Sequence, residues 1–161
     1  MVTFENINNW EKITNKGRVL CLDYGNKRTG VAISDQIWSI ATPLTVLDTA
    51  NVCNGILNIL KDYKVSLIVV GMPLALNGGM DGKQLKIVEK FTEKLQDFLN
   101  KNNFAIKVIM HDERLSSVVA NRVLSEADFT IKKRKKNVDK IAACFVLQGF
   151  LDKVRYKLYG N

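Results

Sequence analysis

Four acidic residues occupy places in this sequence where carboxylates from separate elements could meet. Asp23 ends the first apolar run, Asp112 and Glu113 follow a later one, and Asp139 opens the last apolar segment. Ligand-binding groups of open sheets gather beyond the strand ends. If the first and fifth predicted strands are adjacent and parallel, Asp23 and one of the paired acids share a sheet edge, which Asp139 reaches from a helix lying across it.

Carboxylates held together in this way would repel one another, so the pattern predicts a bound cation. Magnesium or manganese is the expected ion, because hard divalent cations are held by a few carboxylates together with substrate phosphates. Two such ions about 4 Å apart could activate a water and stabilise the leaving oxygen of a phosphodiester displacement. Any one of these acids alone is more simply a turn or helix-capping residue. Their joint occurrence carries the hypothesis.

The net charge of +8 is concentrated near the C-terminal end of the sequence. Residues 131–161 hold nine Lys and Arg against two acids, and five of the nine are consecutive: Lys132, Lys133, Arg134, Lys135 and Lys136. Such a cluster attracts polyanions and releases their counterions. A basic run by itself is equally well explained as a solvated, disordered loop. Its position directly before Asp139 favours a nucleic-acid partner.

The bulk composition predicts one soluble domain. A chain of 161 residues with 47% hydrophobic content can bury one sizeable core. No window approaches the roughly 18 uninterrupted apolar residues of a membrane span, and no signal peptide is recognisable, so we expect a cytoplasmic protein without a membrane partner. The three cysteines are odd in number and widely spaced, which indicates core thiols rather than disulfides or zinc ligands.

The spacing of apolar residues predicts a mixed five-stranded sheet. Strands are expected at 18–25, 27–34, 40–47, 66–71 and 104–110, and helices at 52–63, 83–99, from 116, and at 138–151. Three consecutive strands indicate an antiparallel meander, and the alternating elements that follow add parallel strands with helices on both faces of an α/β fold. We expect residues 1–17 to form an N-terminal arm with a short helix around Trp10 and Ile13, and residues 18–161 to form the main domain.

Four blocks of the sequence resemble the YqgF family, also called RuvX-like, of the ribonuclease H superfamily. They are LDYGNKRTGVAISD at 22–35, VVGMPLALNGGMDGKQ at 69–84, DERLSS at 112–117 and VDKIAACFVLQGFLD at 138–152. The resemblance implies a ribonuclease H-like fold and a metal-dependent nuclease. In bacteria it implies a part in maturing the precursor of 16S ribosomal RNA. It assigns the catalytic and metal-binding roles to Asp23, Glu113 and Asp139, with Glu113 preferred to Asp112.

Supporting residues carry weaker signals. Arg28 and Arg114 flank the acids and could grip phosphate oxygens, or could equally pair with a nearby acid. Gly25 and Gly30 are interpreted as turn residues of the first hairpin. His111 is more simply a structural residue at a strand end than a catalytic one.

Three other functions must be weighed. Asp-x-Gly followed by a hairpin also opens the actin-like ATPases, but these need a second domain of the same fold, for which 161 residues are too few. A Holliday junction resolvase would use the same acids on branched DNA and would need a homodimer, whereas a monomer suffices to trim RNA. A catalytically silent nucleic-acid-binding module would use the basic segment alone.

Overall fold

The computed structural model describes residues 3–14, 16–72, 82–112 and 131–160, with side chains described for all of these except 5, 112 and 131–137. Its strands are β1 (Arg18–Asp23), β2 (Arg28–Ser34), β3 (Ala41–Asp48), β4 (Val65–Met72) and β5 (Lys107–Asp112). Its α-helices are α1 (Trp10–Thr14), α2 (Val52–Asp62), α3 (Gly82–Lys101) and α4 (Ile131–Tyr159), and two short 3-10 helices span Phe4–Asn6 and Thr49–Asn51. The helix predicted from residue 116 lies outside the described residues.

The five strands form one mixed sheet in the order β3-β2-β1-β4-β5. β1 pairs antiparallel with β2, and β2 with β3, which confirms the predicted meander. β4 pairs parallel with both β1 and β5. The expectation that the first and fifth strands are adjacent is therefore wrong, because β4 lies between them. Since all three run in the same direction, their carboxyl ends still share one sheet edge.

Helices cover both faces of the sheet, as predicted. Alternate residues of β1 point to opposite faces, so Leu20 and Leu22 pack with the core of α2 and α3, whereas Val19 and Cys21 pack with the core of α4. Helix α4 has 29 residues and is about 43 Å long at 1.5 Å per residue, and it packs across β1, β2 and β3. Burial on both faces explains why the central strands read as continuous apolar runs.

The segment before β1 packs on the α4 face. The predicted short helix is observed as α1, and Trp10 is only 3% exposed. The rings of Phe4, Trp10 and Phe150 form an aromatic cluster with centroid separations of 4.7 to 5.9 Å. Thr3 also bridges Met110 in parallel, beside the edge strand β5. Whether the chain divides into an arm and a domain at residue 17 stays a prediction.

Two predicted boundaries are wrong, and both matter for the site. Helix α4 begins at Ile131, not near Val138, so the basic run is helical and Asp139 lies inside the helix rather than at its start. Strand β5 was predicted at 104–110 but begins at Lys107 and extends to Asp112. The residue at the start of the predicted strand, Phe104, instead contacts the end of α3. Phe104 donates its backbone N–H to Leu99 O at 2.9 Å and thereby ends α3.

None of the helices in the described part of the chain combines the length and the apolar character needed to cross a membrane.

Candidate active site at the carboxyl edge of the sheet

Gly30 is the point at which Asp23 and Asp139 come together. It lies within β2, directly opposite Asp23 of β1 in the antiparallel register. The backbone of α4 crosses it so closely that a Cβ atom at this position would overlap the carbonyl group of Asp139. The interpretation of Gly30 as a turn residue is therefore wrong. Its missing side chain lets the helix backbone approach the strand pair that carries Asp23.

The side chain of Asp23 belongs to the face of the sheet that α4 covers. Val19 and Cys21, the alternate residues before it on β1, both pack with α4, and Tyr24 packs with the opposite core. Strand alternation therefore points Asp23 toward the helix that carries Asp139. Asp23 and Asp139, which belong to separate elements of the chain, therefore converge on the same face and at the same edge of the sheet.

Arg28 forms an ion pair with Asp139. Its Nε lies 3.2 Å from Asp139 Oδ2, and the two side chains are 32% and 27% exposed. Of the two roles considered for Arg28, the structure therefore shows the pairing with a nearby acid. A contact between Arg28 and substrate phosphate stays a prediction. The guanidinium supplies a fixed positive charge beside the carboxylates, where two acids would otherwise repel each other.

The turn that follows Asp23 is held in place by hydrogen bonds. Thr49 Oγ1 donates to Gly25 O at 2.7 Å, and Thr49 N–H donates to Lys27 O at 3.0 Å. A Cβ at Gly25 would overlap the carbonyl oxygen of Arg28, which confirms that this glycine allows a tight turn. The carboxyl ends of β1 and β3 are thereby tied together, which limits movement of the loop beside the acids.

The basic run occupies the first turns of α4. Residues 132–136 are helical, and Asp139 follows Lys136 by three positions, which corresponds to a rise of about 4.5 Å along the helix. The disordered-loop interpretation is therefore wrong for the backbone of this segment. The helix that carries one acid of the site also carries the five consecutive basic residues.

The third acid lies outside the described residues. Glu113 and Arg114 follow the last described residue of β5, and their predicted roles stay predictions. Within the described ranges, no group of three or more Asp, Glu, His or Cys side chains is placed to hold a metal ion. Asp23 and Asp139 contribute only carboxylate oxygens, which is the donor chemistry that Mg²⁺ and Mn²⁺ prefer. The chemistry of these two residues therefore fits a hard divalent ion, for which Glu113 stays the predicted third ligand.

The three cysteines and His111 pack against the apolar cores of the protein. All three cysteines are free thiols, as expected, with Cys21 fully buried. Burial raises the pKa of the Cys144 thiol. It also raises the pKa of Cys53, although Lys94 acts in the opposite direction. The His111 ring packs edge-on against Phe150 with centroids 5.4 Å apart, which agrees with a structural role.

The sequence did hold a signal for the close approach at Gly30. A single glycine inside a strand pattern, with β-branched or apolar residues after it, often marks a position where another backbone comes near. Ala142 and Ala143 of α4 are small and are only 1% and 0% exposed. Together with Gly30, these two alanines predict where α4 crosses the sheet.

The fold and the edge site together define a class of protein. A mixed five-stranded sheet in this order, with acids at its carboxyl edge, is a ribonuclease H-like fold. The yeast mitochondrial Holliday junction resolvase Ydc2 shares it, with a TM-score of 0.52 over 93% of this chain and 86% of that chain. The sequences are 13% identical, so this likeness concerns the fold alone.

Sequence comparison identifies the family. The family model described as "RuvX: Holliday junction resolvase" matches residues 17–153, and the chain belongs to this family. A protein of Clostridium tetani (strain Massachusetts / E88) named "Putative pre-16S rRNA nuclease" is 41% identical over 143 residues, which cover 87% of this chain and 99% of that protein. A protein of the same name from Roseiflexus sp. (strain RS-1) is 36% identical over 142 residues, covering 86% and 96%. The predicted resemblance and fold class are confirmed.

Proposed function

We propose that this protein is a divalent-metal-dependent endonuclease that hydrolyses phosphodiester bonds of structured nucleic acid, in the 5′-end maturation of 16S ribosomal RNA precursor in the cytoplasm. The observation that carries the proposal is the crossing of α4 over Gly30, which brings Asp139 to the strand pair holding Asp23. The names of the curated relatives support the choice of substrate.

Three residues would hold the metal: Asp23, Asp139 and Glu113. The alternation of side chains along β5 supports Glu113 over Asp112 as the ligand. Ile109 and His111 both pack on the α4 side of the sheet, and Glu113 is the next odd-numbered position in the sequence. Magnesium or manganese ions bound there would activate the attacking water and stabilise the leaving oxygen.

The protein residues around the acids have distinct tasks in this proposal. Arg28 stands beside Asp139, where its planar guanidinium could also receive a phosphate oxygen of the substrate. Arg114 is proposed for a similar contact. The basic residues Lys132, Lys133, Arg134, Lys135 and Lys136 would bind the phosphate backbone beside the acids without reading sequence.

Purified protein should cut structured RNA with Mg²⁺ or Mn²⁺ and stop when the metal is chelated. Asp23→Asn should abolish cutting and leave folding and RNA binding intact, because it removes a metal-binding charge at nearly constant volume. Asp62→Asn, an exposed acid at the far end of α2, is the matched control and should cut at the parental rate. Parental activity in Asp23→Asn would refute the carboxylate site.

Holliday junction resolution is the second candidate, and the description of the matching family model favours it. Cleavage of 16S rRNA precursor and of four-way DNA junctions, compared at matched salt, separates the two. Symmetric resolution needs two active sites and hence a homodimer, so sedimentation analysis should give a dimer for a resolvase, whereas a monomer suffices for RNA trimming. RNA binding by a protein that cuts neither substrate would indicate a silent binding module.

A further inference from the structure

We infer that the groove between α2 and α3 binds an unpaired nucleotide of the substrate next to the bond that is cut. The groove opens beside Tyr24, the residue that directly follows Asp23, on the face of the sheet opposite α4. This inference rests on the proposed nuclease function and adds a second nucleic-acid contact to it, distinct from the basic run of α4.

The position of the groove follows from the topology. β3 is antiparallel to β2, which is antiparallel to β1, so β3 and β1 end at the same sheet edge. Helix α2 follows β3 through the short helix Thr49–Asn51 and therefore begins near this edge. The groove is lined by the first turn of α2 and by α3 from Ile87 to Phe98. It therefore leads away from the carboxylates across Tyr24.

The size of the groove fits a single nucleotide rather than a duplex. Its volume is about 510 Å³, which lies within the range of pockets that enclose small organic ligands. One wall is aromatic: the rings of Tyr24 and Phe91 lie with centroids 4.4 Å apart and planes tilted by 31°, and Phe98 also lines the groove. Aromatic surfaces of this kind accept unpaired bases of any sequence. The opposite wall offers the side-chain amides of Asn51 and Asn54.

The charge of the groove is positive. Lys90 and Lys94 line it, both are exposed, and none of the lining residues that the structure describes is acidic. The lysines of α3 recur at a spacing that places them on one strip of the helix: Lys83, Lys86, Lys90, Lys94 and Lys101. Lys90 and Lys94 also line the neighbouring hollow, together with Glu93, Asp97 and Lys101. Phosphate is therefore favoured on the Tyr24 side of the two lysines, where no described lining residue is acidic.

The wall beside Tyr24 is held together by hydrogen bonds. Thr29 and Thr49 share a hydroxyl hydrogen bond of 2.9 Å, and Asp48 accepts from Ala50 N–H at 3.1 Å. Together with the bond from Thr49 to Gly25, the contact between Thr29 and Thr49 ties the 3-10 helix Thr49–Asn51, which leads into α2, to the loop after Asp23. A strand held in this groove would enter the carboxylate edge in a defined direction.

The test is binding of an RNA hairpin with an unpaired extension and of the same hairpin with a blunt end, each measured in the non-cutting Asp23→Asn background. Neutralising Lys90 and Lys94 to Gln removes two phosphate contacts. For a single strand this lowers the slope of log affinity against log salt by about 1.4 and weakens binding about 25-fold at 0.1 M salt. The blunt hairpin should bind unchanged. Lys61→Gln with Lys64→Gln, two exposed lysines at the far end of α2, is the control.

Cys53 gives a second readout because it lines the groove, whereas Cys144 packs on the α4 face. The extended RNA should slow alkylation of Cys53 and leave Cys144 unchanged. The proposed groove binding would be wrong if the lysine variant lost equal affinity for both hairpins, if its salt slope were unchanged, or if the extended RNA did not protect Cys53. Metal-dependent cutting by the parental protein alongside those results would leave the proposed nuclease standing, whereas groove binding by a parental protein that does not cut would refute the nuclease alone.

Discussion

Replacing Gly30 with alanine should separate catalysis from folding. The added Cβ would overlap the Asp139 carbonyl, which belongs to a helix backbone and cannot rotate away. Helix α4 must therefore move by about 1 Å, a displacement that costs on the order of 100-fold in rate when it misplaces a catalytic group. Overpacking of this kind costs about 1–3 kcal/mol of unfolding free energy. For a chain of this size that lowers Tm by about 2–12 °C.

Two other glycines provide matched controls for Gly30→Ala. A Cβ at Gly149 of α4 would meet nothing within 4 Å, so Gly149→Ala should leave the rate unchanged and stabilise the helix by about 1 kcal/mol. A Cβ at Gly55 would meet the Leu47 side chain at 2.8 Å, so Gly55→Ala crowds the opposite face without moving Asp139. Single-turnover cleavage and thermal unfolding should be measured for all three variants. A parental rate in Gly30→Ala would refute the argument that this close approach positions Asp139.

Three further predictions follow from the same structure. Arg28→Gln removes the ion pair with Asp139 and should cost about 1–3 kcal/mol of unfolding free energy, because Asp139 Oδ2 is buried although the side chain as a whole is 27% exposed; unchanged stability in urea unfolding would contradict this. Trp10→Ala should destabilise the protein by about 3–5 kcal/mol, since the side chain is buried in the α4 core; unchanged unfolding would show that the segment before β1 is not part of that core. The Cys53 and Cys144 thiols, whose pKa is raised by burial, should react with iodoacetamide more slowly than a free cysteine at pH 8, and their rates should rise at higher pH than that of a free cysteine; equal rates at pH 8 would show that neither thiol is shielded.

The local elements could be predicted because their signals are local. The apolar spacing of α2 and α3 predicted both helices to within two residues at each end. The meander strands followed from their apolar runs and the short connections between them. Acid residues at the ends of separate elements indicated a metal site, and the four blocks indicated the family, since both are properties of residue type and order.

Long-range arrangement could not be read in the same way. A strand buried on both faces is a continuous apolar run, and such a run does not indicate which strands it pairs with. The position of β4 between β1 and β5 is therefore set by the packing of the whole sheet. The start of α4 was missed because its first turns are basic rather than amphipathic, and their helical form depends on continuity with the buried part of the helix.

The carboxylate site therefore has two origins. The order of amino acids specifies which acids, basic residues and metal chemistry are available, because these depend only on side-chain type. The tertiary structure decided that Asp139 reaches Asp23 through the missing side chain of Gly30, that Arg28 pairs with Asp139, and that a lysine-lined groove adjoins Tyr24. These relations join residues far apart in the chain, and only the packing of α2, α3 and α4 on the sheet brings them within contact.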